Sequence, residues 1–356
     1  MTRLILLGAG KIGETITHFL QASGDYALTV ADQDEGRLAP MAALGATTVR
    51  AQFGDPAALR SLIRGHEFVI SACPFHLTPA IAAAAVDVGA HYFDLTEDVE
   101  STRRVKALAA TAQTALVPQC GLAPGFISIL AHAMTRKFDS LRDVQMRVGA
   151  LPVYPTNALK YNLTWSTDGL INEYCNPCEA ISDGRVRETL ALEEVEAFSL
   201  DGIAYEAFNT SGGLGTLCET LEGRVENLNY KTVRYPGHRD IVKMLIRDLR
   251  LGQRRDILKD VLEESVPMTH QDVVLVFVTV SGMREGRLTQ ESFAKKIYSK
   301  TIGGKLYSAI QVTTAAGICA MVDMTREGAL PAKGFVRQEE ADLERFLANR
   351  FGQHYA

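Results

Sequence analysis

Arg3-Leu4-Ile5-Leu6-Leu7, a short and almost unbroken apolar run, passes directly into Gly8-Ala9-Gly10-Lys11-Ile12-Gly13. The run has the form of a strand buried on both faces of a parallel sheet. Beyond the glycines, Ile12, Ile16, Phe19 and Leu20 recur at helical spacing until Gly24-Asp25 stops the helix. A G-x-G-x-x-G pattern alone is a weak signal, because glycine is common. Between a strand and a helix it has the context it requires. Gly8 permits the tight turn, Gly10 lets the backbone approach a pyrophosphate, and Gly13 lets helix and strand pack closely. The exposed N–H groups where the helix starts, around Lys11 and Ile12, then face the phosphates.

A second strand, residues 27–31, ends at Asp32. A carboxylate there accepts hydrogen bonds from the adenosine ribose hydroxyls and repels a 2′-phosphate, which favours NAD over NADP. Asp32 also fits a turn or helix cap, but the order strand, glycine loop, helix, strand, acid favours the cofactor role. Arg37 follows several residues later and reads as a solvated helix residue. The alternation continues with a third strand at 48–51, closing on Gly54-Asp55, and a helix around 57–63. Asp55 fits either a contact near the adenine or the N-cap of that helix. A fourth strand at 68–72 ends at Cys73-Pro74-Phe75, where Cys73 and Pro74 face the expected cofactor and His76 lies nearby. Strands at 91–95 and 115–118 follow, separated by helices at 80–88 and 99–113. Six strands alternating with helices predict a doubly wound α/β Rossmann sheet, with ligands at the carboxyl ends of its strands.

From Gly121 the pattern changes. Cys120-Gly121-Leu122-Ala123-Pro124-Gly125 is a turn-rich connector, with Leu122 at the cofactor edge, leading into an apolar helix at 126–138. Strand-like runs at 144–149, 205–210, 228–235 and 273–280 are interrupted by helices at 240–249 and 255–264. They predict an α+β mixed-sheet domain for substrate and dimerisation. An apolar helix at 307–324 is expected to return to the first domain, and a final amphipathic helix at 339–351 follows. The expected divisions are 1–125 for the cofactor, 126–305 for substrate and dimerisation, and 306–356 for the returning helices.

Composition removes other classes. A net charge of −5 lacks the broad positive field of non-specific nucleic-acid binding. No apolar run approaches the ~18 residues of a membrane span, and the start of the chain has no signal-peptide pattern. Six cysteines in 356 residues are not a disulfide scaffold, and a reducing cytoplasm is the expected setting. Cys175-Asn176-Pro177-Cys178 has no second pair at zinc spacing, so no metal is expected.

Several segments together resemble the saccharopine dehydrogenase-like family, most of all its lysine 6-dehydrogenase branch. They are Gly8–Gly13 and Gly121-Leu122-Ala123-Pro124-Gly125, then Lys160-Tyr161-Asn162-Leu163-Thr164-Trp165-Ser166 leading to Gly169-Leu170. Phe208-Asn209-Thr210-Ser211-Gly212-Gly213 and Tyr230-Lys231-Thr232-Val233-Arg234-Tyr235-Pro236-Gly237-His238 complete the set. The dinucleotide motif is unspecific; the ordered later motifs are specific for the family, though less so for the substrate. The resemblance implies an N-terminal cofactor domain, a mixed-sheet domain over the substrate, a homodimer, and oxidative deamination of an amino-acid amine with NAD. For lysine, hydride leaves the amine-bearing carbon and water hydrolyses the imine to the 6-semialdehyde, which cyclises.

That chemistry makes physical demands. An ε-ammonium with a reference pKa near ~10.4 must lose a proton before hydride leaves, so a base or a depressed amine pKa is needed. Asp94, at the end of the fifth strand, is one candidate, with a helix-capping role as the alternative; Glu97 and Asp98 compete for the cap. His238 is a second candidate, or a hydrogen-bonded structural histidine. Arg234, on one strand face with Tyr230 and Thr232, suits the α-carboxylate, or is a solvated strand arginine. Tyr161, Trp165 and Ser166 line an amine pocket or belong to the core. Thr210, Ser211 and Gly212 offer hydroxyls and backbone N–H groups to a carboxylate, or form an ordinary turn. Two other functions compete with lysine oxidation. One is a saccharopine reductase or other amine or imine oxidoreductase, which a preference for NADPH would favour. The other is a non-catalytic NAD-sensing regulator, against which stand the polar motifs beyond residue 150.

Overall fold

The computed structural model describes all 356 residues and divides them into two compact units, Met1–Ile129 with Gln311–Ala356, and Leu130–Ile310. The first unit runs through β1 (Thr2–Leu7), α1 (Lys11–Ser23), β2 (Tyr26–Asp32), α2 (Glu35–Ala43), β3 (Thr47–Arg50) and α3 (Pro56–Ile63). It continues through β4 (Phe68–Ser71), α4 (Thr78–Val88), β5 (His91–Asp94), α5 (Val99–Ala109), β6 (Ala115–Val117) and the start of α6 (Phe126–Thr135). These strands pair in parallel in the order β6-β5-β4-β1-β2-β3. Leu4, Ile5, Leu6 and Leu7 are all fully buried, as a central strand covered on both faces requires.

The second unit contains β7 (Ser140–Pro152), α7 (Thr167–Cys175), β8 (Cys178–Ser182), β9 (Arg185–Thr189), β10 (Glu196–Leu200) and β11 (Ile203–Asn209). Then come α8 (Leu217–Leu221), β12 (Val225–Arg234), α9 (His238–Lys243), α10 (Arg255–Ser265), β13 (Asp272–Arg284), β14 (Arg287–Tyr298) and the hairpin β15 (Lys300–Ile302)–β16 (Lys305–Tyr307). The main sheet has the order β10-β11-β12-β7-β13-β14, with only β12 and β7 parallel. The two-residue period of β12 places Tyr230, Thr232 and Arg234 on one face and Asn229, Lys231 and Val233 on the other. On that other face Phe198 of β10 stacks on Phe277 of β13, 5.9 Å between centroids, although three strands separate them in the sheet order. The β10–β11 ribbon therefore curls across the sheet, and Glu196 closes it by accepting from Arg147 and Lys231.

The chain re-enters the first unit with α11 (Ala309–Arg326), β17 (Gly334–Phe335) beside β6, and α12 (Leu343–Ala348). Gly317 allows α11 to pass close to the connector, since a Cβ there would stand 2.7 Å from the Cys120 carbonyl oxygen. Buried Asp323 accepts from Tyr26, Arg326, Asn349 and Arg350 and pins the chain end beneath β2.

Some expected elements differ. The helix expected at 307–324 starts at Ala309, because the Asp272 carboxylate accepts from the Ala309 and Ile310 N–H groups. The tail is not one helix but α12 flanked by short 3-10 turns, with Gly352 folded tightly against the Phe346 carbonyl. The helix expected at 240–249 is α9 followed by one π turn, Met244–Asp248. β9 and β14 escaped the sequence pattern because they are charged, largely exposed strands whose pairing comes from hairpin partners. No helix is long and apolar enough to cross a membrane.

Candidate active site

The glycine loop of the first unit has three differently constrained glycines. Gly8 has φ +105°, and a Cβ there would lie 2.7 Å from the Ala72 carbonyl oxygen at the end of β4. At Gly13 a Cβ would lie 2.1 Å from the Gly8 carbonyl, so α1 can approach β1 only without a side chain. At Gly10 a Cβ would meet nothing within 4 Å. The fold itself therefore does not require glycine at position 10, and the open space before its backbone fits a dinucleotide pyrophosphate. Lys11 and Ile12 begin α1 directly behind it.

Asp32, at the end of β2, braces this loop: one oxygen accepts from the Ala9 N–H at 2.7 Å and the other from Asp34 at 2.9 Å. Each carboxylate oxygen retains acceptor capacity for a ribose hydroxyl. Asp34 in turn caps α2, and Arg37 pairs with it at 3.4 Å. Asp55 is the N-cap of α3, accepting from Ala57 and Ala58, which realises the capping alternative. The Cys73 thiol points inward to the Leu7 carbonyl, and burial, reinforced by the Asp32 charge, pushes its pKa up to about 12. Pro74 and His76 are exposed, and Leu122 is buried under the connector.

Asp94 is neither an exposed acid nor a helix cap. Asp98 caps α5, whereas the Asp94 carboxylate is turned into the fold, 1% exposed. One of its oxygens staples two loops by accepting from the Thr96 and Gln119 N–H groups at 2.9 and 3.0 Å. Burial pushes its pKa up to about 6, against the pull of those backbone bonds. Its other oxygen and the hydroxyl of Ser71, its neighbour across the β4–β5 ladder, are buried without hydrogen-bond partners. Asp94 thus braces two loops with one oxygen and keeps the other without a hydrogen bond.

The second unit assembles its polar residues around Arg234. The guanidinium is 3% exposed and lies over the Tyr161 ring, 4.8 Å from its centroid. Its Nε donates to the Tyr174 hydroxyl at 3.0 Å and its Nη1 to the Val233 carbonyl, while Nη2 makes no hydrogen bond. No carboxylate pairs with it. The other buried cations of the sheet, Arg147 and Lys231, both reach Glu196. Trp165 donates its indole N–H to the Tyr161 hydroxyl at 3.2 Å, and Ser166 caps α7.

His238 continues this chain of contacts. Its Nδ1 lies 2.7 Å from the Leu159 carbonyl and must carry the proton, so Nε2 accepts from the Tyr174 hydroxyl at 3.0 Å. Burial, then the Arg234 charge, hold its pKa down at about 3. His238 is a neutral imidazole with both nitrogens engaged, as the structural alternative expects, and it orients Tyr174 against Arg234. Because the folded pKa lies below the ordinary 6.5, this contribution to stability is complete above pH 6.5 and is lost as pH falls toward 3. Titration of this group should steepen the loss of unfolding free energy by up to about 1.4 kcal/mol per pH unit in that window. His238→Asn keeps a donor for Leu159 and should flatten the slope in urea titrations between those limits; an unaltered slope would contradict the assignment.

The loop expected to hold a carboxylate is also closed. The Ser211 hydroxyl donates to the Pro177 carbonyl, and the Thr210 hydroxyl pairs with that of Thr232 at 2.8 Å. Gly212 turns the chain at φ +86°, and a Cβ on Gly213 would sit 2.2 Å from the Tyr230 ring. These residues support Tyr230 and β12 instead of presenting free hydroxyls. Sequence reasoning missed Tyr174, whose helix carries no apolar period distinctive enough to reveal it. The Ser166 cap was its available signal. A separate polar cleft of about 240 Å³, lined by Asp143, Asn227 and Glu194 among others, shares none of these residues and includes side chains of the opposite face of β12.

A parallel doubly wound sheet with G-x-G-x-x-G at its first strand–helix turn, joined to a mixed-sheet unit, defines a two-unit dinucleotide-binding α/β protein. The chain belongs to the saccharopine dehydrogenase family: residues 4–120 match the saccharopine dehydrogenase NADP binding domain and 121–353 the saccharopine dehydrogenase C-terminal domain. Its fold is that of saccharopine dehydrogenase (L-Glu forming) from Saccharomyces cerevisiae, with TM-score 0.82 at 18% identity over 99% of this chain and 98% of that one. Curated relatives include the mitochondrial alpha-aminoadipic semialdehyde synthase of Bos taurus, 21% identical over 84% of this chain. The saccharopine dehydrogenase [NADP(+), L-glutamate-forming] of Pyricularia oryzae is 22% identical over 74% of it. The chain spans 34% of the length of the bovine protein and 60% of the fungal one.

Proposed function

We propose that this chain is a nicotinamide-dependent oxidoreductase acting at a carbon–nitrogen bond of an α-amino acid. The substrate in this reading is L-lysine, oxidised at its side-chain amine to the 6-semialdehyde with release of ammonia. The supporting observation is Arg234, a buried guanidinium without a carboxylate partner. A buried cation is costly unless an anion joins it, and a substrate carboxylate at the unengaged Nη2 supplies that anion. Tyr161 beneath the guanidinium and Tyr174 at its Nε hold its plane, and His238 fixes Tyr174. Gly10, the α1 N–H groups and Asp32 would hold the dinucleotide, which when bound supplies the hydride acceptor. Water then hydrolyses the imine.

Asp32 and Asp34 together at the end of β2 favour NAD. The matched cofactor domain and the Pyricularia relative are described with NADP, so the preference needs a direct test. Asp32→Asn keeps an oxygen acceptor while removing the charge, and it should lower the ratio of NAD to NADP affinity about tenfold. An unchanged ratio would mean that Asp32 does not read the ribose. The roles of 1–125 for cofactor, 126–305 for substrate and dimerisation, and 306–356 as the returning segment accompany this reading. Light scattering giving a monomer would remove the homodimer from it.

A second reading, saccharopine oxidation, is favoured by the names of the fungal relatives. The two separate in one assay that follows reduced nicotinamide by absorbance with L-lysine, saccharopine, ornithine and polyamines. Turnover of lysine alone supports the first reading and turnover of saccharopine alone the second. Tight NAD binding without turnover of any of them would overturn both.

A further inference from the structure

β14 is the outermost strand of the main sheet of the second unit and, at 12 residues, a long one. Its hairpin with β13 turns through Glu285 and Gly286, at φ +51° and +73°. A two-residue turn of this kind leaves the flanking residues, Arg284 and Arg287, exchanging both backbone hydrogen bonds. From there the register runs unbroken to Val273 and Tyr298. Alternation directs the N–H and C=O groups of the odd-numbered residues of β14 to β13. Those of Leu288, Gln290, Ser292, Ala294, Lys296 and Tyr298 point away from the sheet, and no other strand of the chain pairs with them.

A bare edge of this length is a template for another strand, and edges are ordinarily blunted by shortness, proline, a bulge or charge. β14 has no proline and no break in register, and its two ends carry Leu288 at 62% and Tyr298 at 52% exposure. Its lysines guard it poorly. Lys296 turns back to Asp201 of its own chain at 2.9 Å, while Lys295 makes no ion pair within the chain.

A second copy of β14 fits this edge in one register. Antiparallel pairing about a two-fold axis at Phe293 sets Ser292 opposite Ala294 of the copy, Gln290 opposite Lys296, and Leu288 opposite Tyr298. All three are pairs of outward residues, so their bare backbone groups meet. The same register covers the exposed apolar ends with each other and sets Lys295 opposite Glu291 on both sides of the axis. An axis at Glu291 or at Lys295 would oppose like charges. An axis at Ser292 or at Ala294 would leave Glu291 facing Phe293 or Ile297.

We infer that two copies of this chain join through β14, which pairs with itself about Phe293 and continues the mixed sheet from one copy into the other. The inference rests on the homodimer of the reading above and names its surface.

The test uses the full-length protein. At a self-opposed pair without mutual hydrogen bonds the Cα atoms stand about 4.5 Å apart, within disulfide range. Phe293→Cys should therefore link two chains when oxidised glutathione accepts the electrons, as seen by non-reducing electrophoresis. Gln290→Cys, whose counterpart lies several residues along the copy, should stay unlinked, as should the unmodified chain with its six free cysteines. Ala294→Pro removes an outward N–H that serves nothing within the chain, so circular dichroism should not change. Light scattering should show its dimer dissociating about a hundredfold more readily. If proline disturbs the fold, the two cysteine variants decide alone. Equal linking at positions 290 and 293, no linking at 293, or an undiminished dimer in a folded Ala294→Pro would overturn the β14 surface and leave the homodimer standing. A monomeric unmodified protein would overturn both.

Discussion

Arg234→Gln lowers kcat/KM for the amino-acid substrate by about 10²–10³-fold, the usual cost of truncating one partner of a buried charged contact. The same variant should keep its unfolding midpoint within about 3 °C, because removing the guanidinium also removes the cost of desolvating a buried charge. That combination separates a binding guanidinium from a structural one. A structural arginine such as Arg147, which holds Glu196 bidentately, should lose stability when replaced and lose activity only as a consequence. Arg234→Lys should recover little, since an ammonium cannot reproduce the planar fork or lie flat on the Tyr161 ring. Steady-state kinetics beside thermal melts decide the matter. Loss of stability in proportion to loss of activity would count against substrate binding at Arg234.

The second large effect belongs to the glycine loop and divides between two neighbouring residues. Gly13→Ala forces a Cβ to within 2.1 Å of the Gly8 carbonyl, so the backbone of the loop or the start of α1 must move. Overpacking of this kind costs about 1–3 kcal/mol, or on the order of 5 °C in the midpoint, and dinucleotide affinity falls with it. Gly10→Ala meets no atom within 4 Å, and the φ of −74° at Gly10 suits alanine, so stability should not change. Its methyl group nevertheless enters the space proposed for the pyrophosphate and should weaken dinucleotide binding by about tenfold or more. Calorimetric titration with NAD and melts of both variants test this. Undiminished affinity in Gly10→Ala would place the phosphates elsewhere.

Much of the first unit is legible along the chain because its interactions are local or periodic. The apolar run at β1, the glycines at the first turn and the alternation of strands and helices each lie within a few dozen residues, and the parallel sheet follows from them. The second unit was legible only where strands are apolar. β9 and β14 carry charge on exposed positions, and α7 is recognisable mainly by its Ser166 cap. Local chemistry also resolved Asp55, whose capping of α3 needs only the next few residues.

Proton roles were not legible, for a physical reason. Whether an acid or a histidine transfers protons depends on which donors and acceptors surround it, and those come from distant segments. Asp94 looked like an acid at a strand end until Gln119, across the sheet edge, took its oxygen. His238 is held neutral by burial and the Arg234 charge, with its ring nitrogens engaged by Leu159 and Tyr174, 79 and 64 residues away. Sequence alone thus determined the dinucleotide-binding half, the family motifs and the placement of Arg234 on one strand face with Tyr230 and Thr232. Only the tertiary structure decided that Arg234 is buried against Tyr161 and Tyr174, and that Asp94 and His238 face inward. Burial and pairing are properties of residues brought together from distant parts of the chain, and no local pattern encodes them.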